Sequence, residues 1–385
     1  MNGKRLSGIL VLALLLALAL SACAPAAAPT PAPTKAPAAA SPAAAAPTAA
    51  AAAPTAVAVA PTTKPAATAA PATVRFASPG ALSDAGVFIA IENGYFKELN
   101  VDVKIETVQS AAVAIAPLAA GDLDVAGGVV STALLNAIDR GVALKLVATK
   151  GGAIKGFDAS QMIIRKDLID SGKVKDVKDV KGMTISLANV QSGAEAETAQ
   201  FLKQGGLTVK DINLTVLGYP EQLVAYGNKA IDLGIQNEPL IAQAVEQGLA
   251  VKWAPGAFST FYGGEYQVAS LQFSEPFSKN IDVARRFVMG YIKGLRAYND
   301  AFAKGIGKDK IITILVKYTS LKDPAMYSKV EMSYLNPDGK LHLPSLQLDL
   351  DYFKQMGYYT GKLDIRAIVD TQFTDYALQQ LGAYK

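Results

Sequence analysis

The sequence predicts an α/β protein of two similar lobes, each a mainly parallel sheet flanked by helices, with a helical C-terminal extension on lobe one. Three observations carry that expectation. From Val74 onward, short β-rich runs alternate with helical patterns, the grammar of βαβ units. The same alternation restarts at Met183. After Ser274 the pattern turns almost wholly helical.

In the first unit, 74–77 reads as a strand and 83–96 as a helix with apolar residues at helical spacing, its end marked by Asn93 and Gly94. Then follow a strand at 101–108, a helix at 111–120, a strand at 125–130, a helix at 131–139 stopped by Gly141, and a strand at 144–148. The second unit runs strand 183–187, helix 194–203 ended by Gly205-Gly206, strand 214–217, helix 221–228, strand 233–236 and helix 239–246 stopped by Gly248. Both units bring a helix end through a small polar turn to an aspartate and a buried strand: Gly121-Asp122-Leu123-Asp124-Val125 and Lys229-Ala230-Ile231-Asp232-Leu233. One interrupted sheet is the alternative to two lobes.

Residues 162–167 read as the crossover into lobe two and 266–269 as the return, so that two crossing strands form a hinge. The tail holds helices expected at 282–302, 308–318, 324–334, 345–356 and 374–381. The aromatic stripe Phe287, Tyr291, Leu295 and Tyr298 reads as core. The resulting division is lobe one at 74–160 and 270–385, and lobe two at 161–269.

The N-terminal part differs in kind. Lys4 and Arg5 precede an apolar run at 9–20, too short for a comfortable span of roughly 20 residues, and Leu20-Ser21-Ala22-Cys23 follows. This resembles the bacterial lipobox, which implies a signal peptide at 1–23 and lipidation of Cys23, the chain's one cysteine. Residues 24–73 are almost entirely Ala, Pro and Thr, a composition without side chains to bury, expected to form a disordered tether. Of the 37 basic residues, Lys4, Arg5, Lys35 and Lys64 precede Arg75, leaving 33 against 33 acidic ones. A neutral folded part counts against a nucleic-acid partner, which calls for a basic face.

In sheets of this kind ligands sit beyond the carboxyl ends of the strands, against helix N-termini whose N–H groups suit polar or anionic groups. Four loops take that position, and the candidate ligand-binding residues are Ala81 and Leu82, Ser131 and Thr132, Gln191, Ser192 and Gly193, and Asn237 and Glu238. Plain helix capping is the competing role for each, with Asn237 or Glu238 capping a helix whose first turn holds Pro239. Lys150-Gly151-Gly152 could add backbone amides, and Phe261 and Tyr262 could stack on a planar ligand; Trp253 reads as core.

Taken in order, Ala90-Ile91-Glu92-Asn93-Gly94-Tyr95-Phe96, Leu118-Ala119-Ala120-Gly121-Asp122-Leu123-Asp124, Val177-Lys178-Asp179-Val180-Lys181-Gly182-Met183 and Ala230-Ile231-Asp232-Leu233 with Glu238-Pro239 resemble the ABC-transporter solute-binding proteins of the sulfonate, nitrate, taurine and thiamine-precursor type. The resemblance implies a type II periplasmic-binding-protein clamshell. It also implies an extracytoplasmic, monomeric, membrane-anchored protein that captures a small organic nutrient and delivers it to an ABC permease and its ATPase, with no cofactor or metal. The Asp-Val-Lys-Gly at 179–182 stands where the family usually has Asp-Leu-Lys-Gly.

The four loops hold no arginine, whereas a sulfonate often recruits one for bidentate binding. With Glu238 and Glu195 nearby, the loops point to a neutral or amine-bearing heterocycle such as a pyrimidine or flavin-like nutrient, and replacing Glu238 by Ala is expected to weaken binding while leaving folding intact. Two alternatives stay open. One is a ligand-sensing receptor subunit. The other is an enzyme like the thiamine pyrimidine synthase, against which stand the single histidine, His342 in the helical tail, and the absence of that enzyme's cysteine-rich signature.

Overall fold

The computed structural model describes residues 69–385 apart from 109 and 110. The expected signal peptide, Cys23 and nearly all of the tether lie outside the described residues. Ten strands form two five-stranded sheets. The first has the order β2-β1-β3-β10-β4, from β1 (Ala72–Ser78), β2 (Val101–Thr107), β3 (Val125–Gly128), β4 (Lys145–Ile154) and β10 (Glu265–Phe273). The second has the order β7-β6-β8-β5-β9, from β5 (Ser160–Arg165), β6 (Thr184–Leu187), β7 (Asn213–Val216), β8 (Leu233–Asn237) and β9 (Ala250–Ala257).

The two sheets repeat one plan. β1 pairs in parallel with β2 and β3, and β6 with β7 and β8. In each sheet the fourth strand runs antiparallel to both neighbours: β10 to β3 and β4, and β5 to β8 and β9. The sheets are therefore mixed, each inserting a strand that arrives from the other side of the molecule. β5 is an interior strand of the second sheet rather than a crossover, and the crossing falls on 155–159 before it and 258–264 after β9.

The repeated aspartate motif has a physical reason. Asp124 Oδ2 accepts the backbone N–H of Arg75 on β1 at 2.7 Å, and Asp232 Oδ2 accepts that of Thr184 on β6 at 2.9 Å. Each carboxylate ties the strand it precedes to its parallel neighbour, at the end where the ladder alone leaves a donor free. An arginine answers each charge, Arg75 at 2.8 Å and Arg165 at 3.3 Å.

Sheet one is covered by the helix Ile281–Lys304 lying on Ala85–Glu92. The two approach at glycines: a Cβ on Gly294 would meet Gly86 O at 2.0 Å. Phe287, Tyr291, Leu295 and Tyr298 are fully buried there, as core. The smaller core of the second sheet gathers Phe201, Phe258, Tyr262 and Tyr266.

The expected helix at 324–334 is only a short turn, Pro324–Ser328. Beyond it the backbone turns outward to pair: Tyr334 exchanges both backbone hydrogen bonds with Gly152, at 2.8 and 3.0 Å. The tail also reaches past the first sheet. Glu331 accepts Asp158 N–H at 3.1 Å and Gln161 Nε2 at 2.9 Å, and Leu343–Gln355 packs against Gly193–Lys203 of the second unit.

Candidate functional site

The carboxyl ends of β1 and β3 face those of β6 and β8, and two cavities lie between. The larger, about 510 Å³, is lined by Pro79 to Ser83 and Gly151-Gly152 on one side, by Ser160, Tyr219 and Asn237 to Leu240 on the other, and by Ser320 and Ser333 of the tail. The smaller, about 330 Å³, lies between Gly128 to Ala133 and Asn189 to Ser192, with Gln272 behind. The candidate loops thus pair off. Ala81 and Leu82 share the larger cavity with Asn237 and Glu238; Ser131 and Thr132 share the smaller with Gln191 and Ser192. Gly193 lines neither, its α-carbon facing the Tyr266 hydroxyl.

Beneath the larger cavity is a buried ion pair. Lys150 Nζ lies 2.8 Å from Asp84 Oδ1, an ionic approach outside hydrogen-bond alignment, and donates to Ser83 Oγ at 3.0 Å. Asp84 Oδ2 accepts the Ser78 hydroxyl at 2.7 Å, and Ser78 Oγ accepts Gly80 N–H at 3.0 Å. The pair holds the turn after β1. Lys150 and its two glycines belong to β4 itself rather than to a loop, and a Cβ on Gly127 would collide with the Lys150 stem.

Glu238 is engaged elsewhere than with a guest. Its buried carboxylate pairs with Lys252 at 2.8 Å, accepts Ala242 N–H at 2.9 Å and accepts Glu331 N–H at 3.2 Å. From the residue before the Pro239 N-cap it thereby satisfies one of the free N–H donors in the first turn of the helix Leu240–Glu246. Glu238 lines the larger cavity, as expected of a ligand-binding candidate, with its carboxylate engaged by Lys252, which also reaches Glu331 at 3.3 Å. Among the described residues lining either cavity, Glu238 is the one charged side chain.

Around the smaller cavity the two sides touch. Ser131 and Ser192 form an antiparallel bridge, and Thr132 Oγ1 donates to Gln191 O at 2.9 Å. Ser131 also caps Thr132–Asp139 through Leu134 N–H. Gln191 takes φ 54°, the left-handed region that costs a non-glycine residue energy. Its N–H donates to Glu195 Oε2 at 2.8 Å, and Glu195 Oε1 accepts the hydroxyls of Tyr352 at 2.9 Å and Tyr358 at 2.7 Å. Burial and the Glu195 carboxylate push the Tyr358 hydroxyl up to about 12.

Behind this lies a set of buried acids. Asp349 accepts the hydroxyls of Tyr262 at 2.8 Å and Tyr266 at 3.1 Å. Burial pushes the carboxyls of Asp349 and Asp158 up to about 7 and that of Glu197 up to about 8. Of the two aromatics expected to stack on a planar ligand, Tyr262 stacks on Tyr266 with ring centroids 4.0 Å apart and Phe261 packs at the edge of Phe201, as does Trp253, so both are spent inside the fold. Among the described residues no group of three or more His, Cys, Asp or Glu is placed to hold a metal ion, and no helix is long and apolar enough to cross a membrane.

The family model of the NMT1-like family matches residues 67–254. The nitrate-binding protein NrtA of Synechocystis PCC 6803 superposes with TM-score 0.62 at 14% identity, covering 81% of this chain and 89% of that one. The aliphatic sulphonate-binding protein SsuA of Escherichia coli gives 0.61 at 16% identity, over 78% of this chain and 93% of that one. SsuA of Xanthomonas axonopodis pv. citri, bound to MOPS, gives 0.57 at 16%, over 79% and 99%. No curated protein matches the sequence. At these identities the likeness shows the fold: that of periplasmic binding proteins.

Proposed function

We propose that this chain, NMT1-like over residues 67–254 and folded as a periplasmic binding protein, is the solute-binding component of an ABC importer that holds a neutral small molecule in the 510 Å³ cavity. The observation that carries the reading is the cavity itself: loops from the carboxyl ends of both sheets enclose it, and its walls offer hydroxyls, amides and apolar surface but no unpaired charge. Ser83, Ser160, Ser320, Ser333, Tyr219, Asn237 and Gln243 supply neutral donors and acceptors around Leu82, Leu240 and Val268. That mix suits an uncharged polar heterocycle.

A nitrate or sulfonate would enter a site with no cation of its own, and burying such a charge unpaired is costly. Glu238 is already engaged by Lys252, which also reaches Glu331, so an ammonium-bearing guest would compete with that lysine for its carboxylate. The neutral class is therefore favoured over both. Capture proceeds by closure of the two sheets' loops over the guest, which shifts the population toward the closed form. The expected lipid anchor at Cys23 would hold the protein outside the membrane beside a permease and its ATPase, and the chain performs no chemistry on its cargo.

Thermal-shift screening of the purified chain with uracil, cytosine, thiamine pyrimidine and riboflavin, against nitrate, taurine and methanesulfonate, tests the class. A rise in Tm with an uncharged heterocycle and none with the anions is expected. A rise with the anions alone would overturn the neutral reading, and turnover of any bound compound would overturn the binding role.

A further inference from the structure

The smaller cavity is organised by residues that contribute nothing to its lining. Gln191 is held through both of its backbone groups: its carbonyl accepts Thr132 Oγ1 across the cleft at 2.9 Å, and its N–H donates to Glu195 at 2.8 Å. Its backbone stands at φ 54°, a conformation that persists only where surrounding contacts impose it. The imposing group is Glu195, a side chain buried to 2% exposure. Its other oxygen receives two hydroxyls, Tyr352 at 2.9 Å and Tyr358 at 2.7 Å, both from the C-terminal segment that wraps over from the first sheet. Three hydrogen bonds on one carboxylate leave it a single orientation.

We infer that Tyr352 and Tyr358 are positioning residues for solute capture: through Glu195 they fix the Gln191 turn, and through Gln191 they hold the second unit against Thr132 of the first. The C-terminal segment is thereby a brace on the side of the smaller cavity, setting how far the jaws part there. The purpose assigned to the brace rests on the solute-capture reading. The hydrogen-bond relay itself does not.

Hydrogen exchange of the full chain, without any solute, separates the two. The variants are Glu195→Gln, which keeps an oxygen for the tyrosines but turns an NH₂ toward the Gln191 N–H, and Tyr352→Phe with Tyr358→Phe, which keeps both rings. In each, amide exchange at 188–193 and across the cleft at 128–134 is expected to rise about tenfold, the effect of one lost charge-assisted hydrogen bond. Exchange at 184–187 and 233–237, the core strands of the same sheet, stays unchanged. Equal acceleration of those strands would reduce the tyrosines to ordinary stabilising contacts and overturn the inference. So would a rise confined to 188–193, because the relay would then end at Gln191, or no rise at all. If the relay stands while the solute screen shows no binding, the brace is real and its assigned purpose is wrong.

Discussion

The two sides of the cleft are built from equivalent loops and behave differently. On the side of the smaller cavity, the loop after β3 meets the loop before Gly193–Lys203 through the Ser131–Ser192 bridge and the Thr132–Gln191 hydrogen bond. On the other side, the turn after β1 and the residues after β8 are each tied down within their own neighbourhood, by Lys150 and by Lys252, and among the described residues no hydrogen bond joins one to the other. One side is bonded loop to loop; the other is open between its two loops, and the tail reaches it through Glu331, whose N–H donates to Glu238 at 3.2 Å. The difference teaches where a guest fits: polar groups that already satisfy each other across a gap have little to offer, whereas loops anchored from behind keep their faces free.

The sharpest way to break the comparison is to remove the anchor behind the open side. Replacing Asp84 by Ala strands a buried ammonium and is expected to cost about 3–5 kcal/mol, read as a lower midpoint in urea unfolding. A loss below 1 kcal/mol would show that the turn after β1 is not held by this pair.

Next comes pH. Asp349 and Asp158 at about 7 and Glu197 at about 8 lie above the roughly 4 of free carboxyls. Between those values the unfolded chain has released protons that the folded chain retains, so stability falls as pH rises from about 4 to about 8. Each of these carboxyls should contribute a fall of about 4 kcal/mol, at about 1.4 kcal/mol per unit over a separation of about three units. Urea unfolding at pH 5 and pH 8.5 measures it, and Asp349→Asn should flatten the slope; a slope of opposite sign contradicts the burial argument.

Smaller is the effect of Glu238→Ala, which leaves Ala242 N–H and Lys252 without their partner. It should cost about 1–3 kcal/mol of stability and change solute affinity little, the reverse of what the sequence suggests. Binding lost at unchanged stability would restore Glu238 as a contact. The smallest is Thr132→Val, removing the cross-cleft hydroxyl for about 1 kcal/mol; exchange at 188–193 reports it.

The succession of strands and helices and the paired aspartates were legible because each is a local pattern; the inserted antiparallel strand that makes each sheet mixed was not. Asp124 and Asp232 sit one residue before buried strands, and that spacing alone marks their role. The four loops were legible for the same reason, since strand ends and helix starts locate them. Their pairing into two cavities was not, because it depends on how the sheets face each other. The engagement of Glu238 was not legible for a related reason: Lys252 on the next strand and the Glu331 N–H of the tail meet it only in the fold. The tyrosines that brace Gln191 carry no sequence signal at all; Tyr352 and Tyr358 look like surface residues of a tail helix and its following turn until the fold lays them on Glu195. The helix expected at 324–334 failed because backbone pairing of Tyr334 with Gly152 outweighs a modest local preference.

The central claim is that the guest occupies the open side. Calorimetric titration with the heterocycle that the thermal screen selects, using Ser160→Trp to fill the larger cavity and Val190→Trp to obstruct the smaller, tests it directly. The account predicts that Ser160→Trp abolishes binding while Val190→Trp leaves affinity within about threefold, roughly 0.7 kcal/mol. Binding that survives Ser160→Trp and vanishes in Val190→Trp would place the guest on the bonded side and contradict the account.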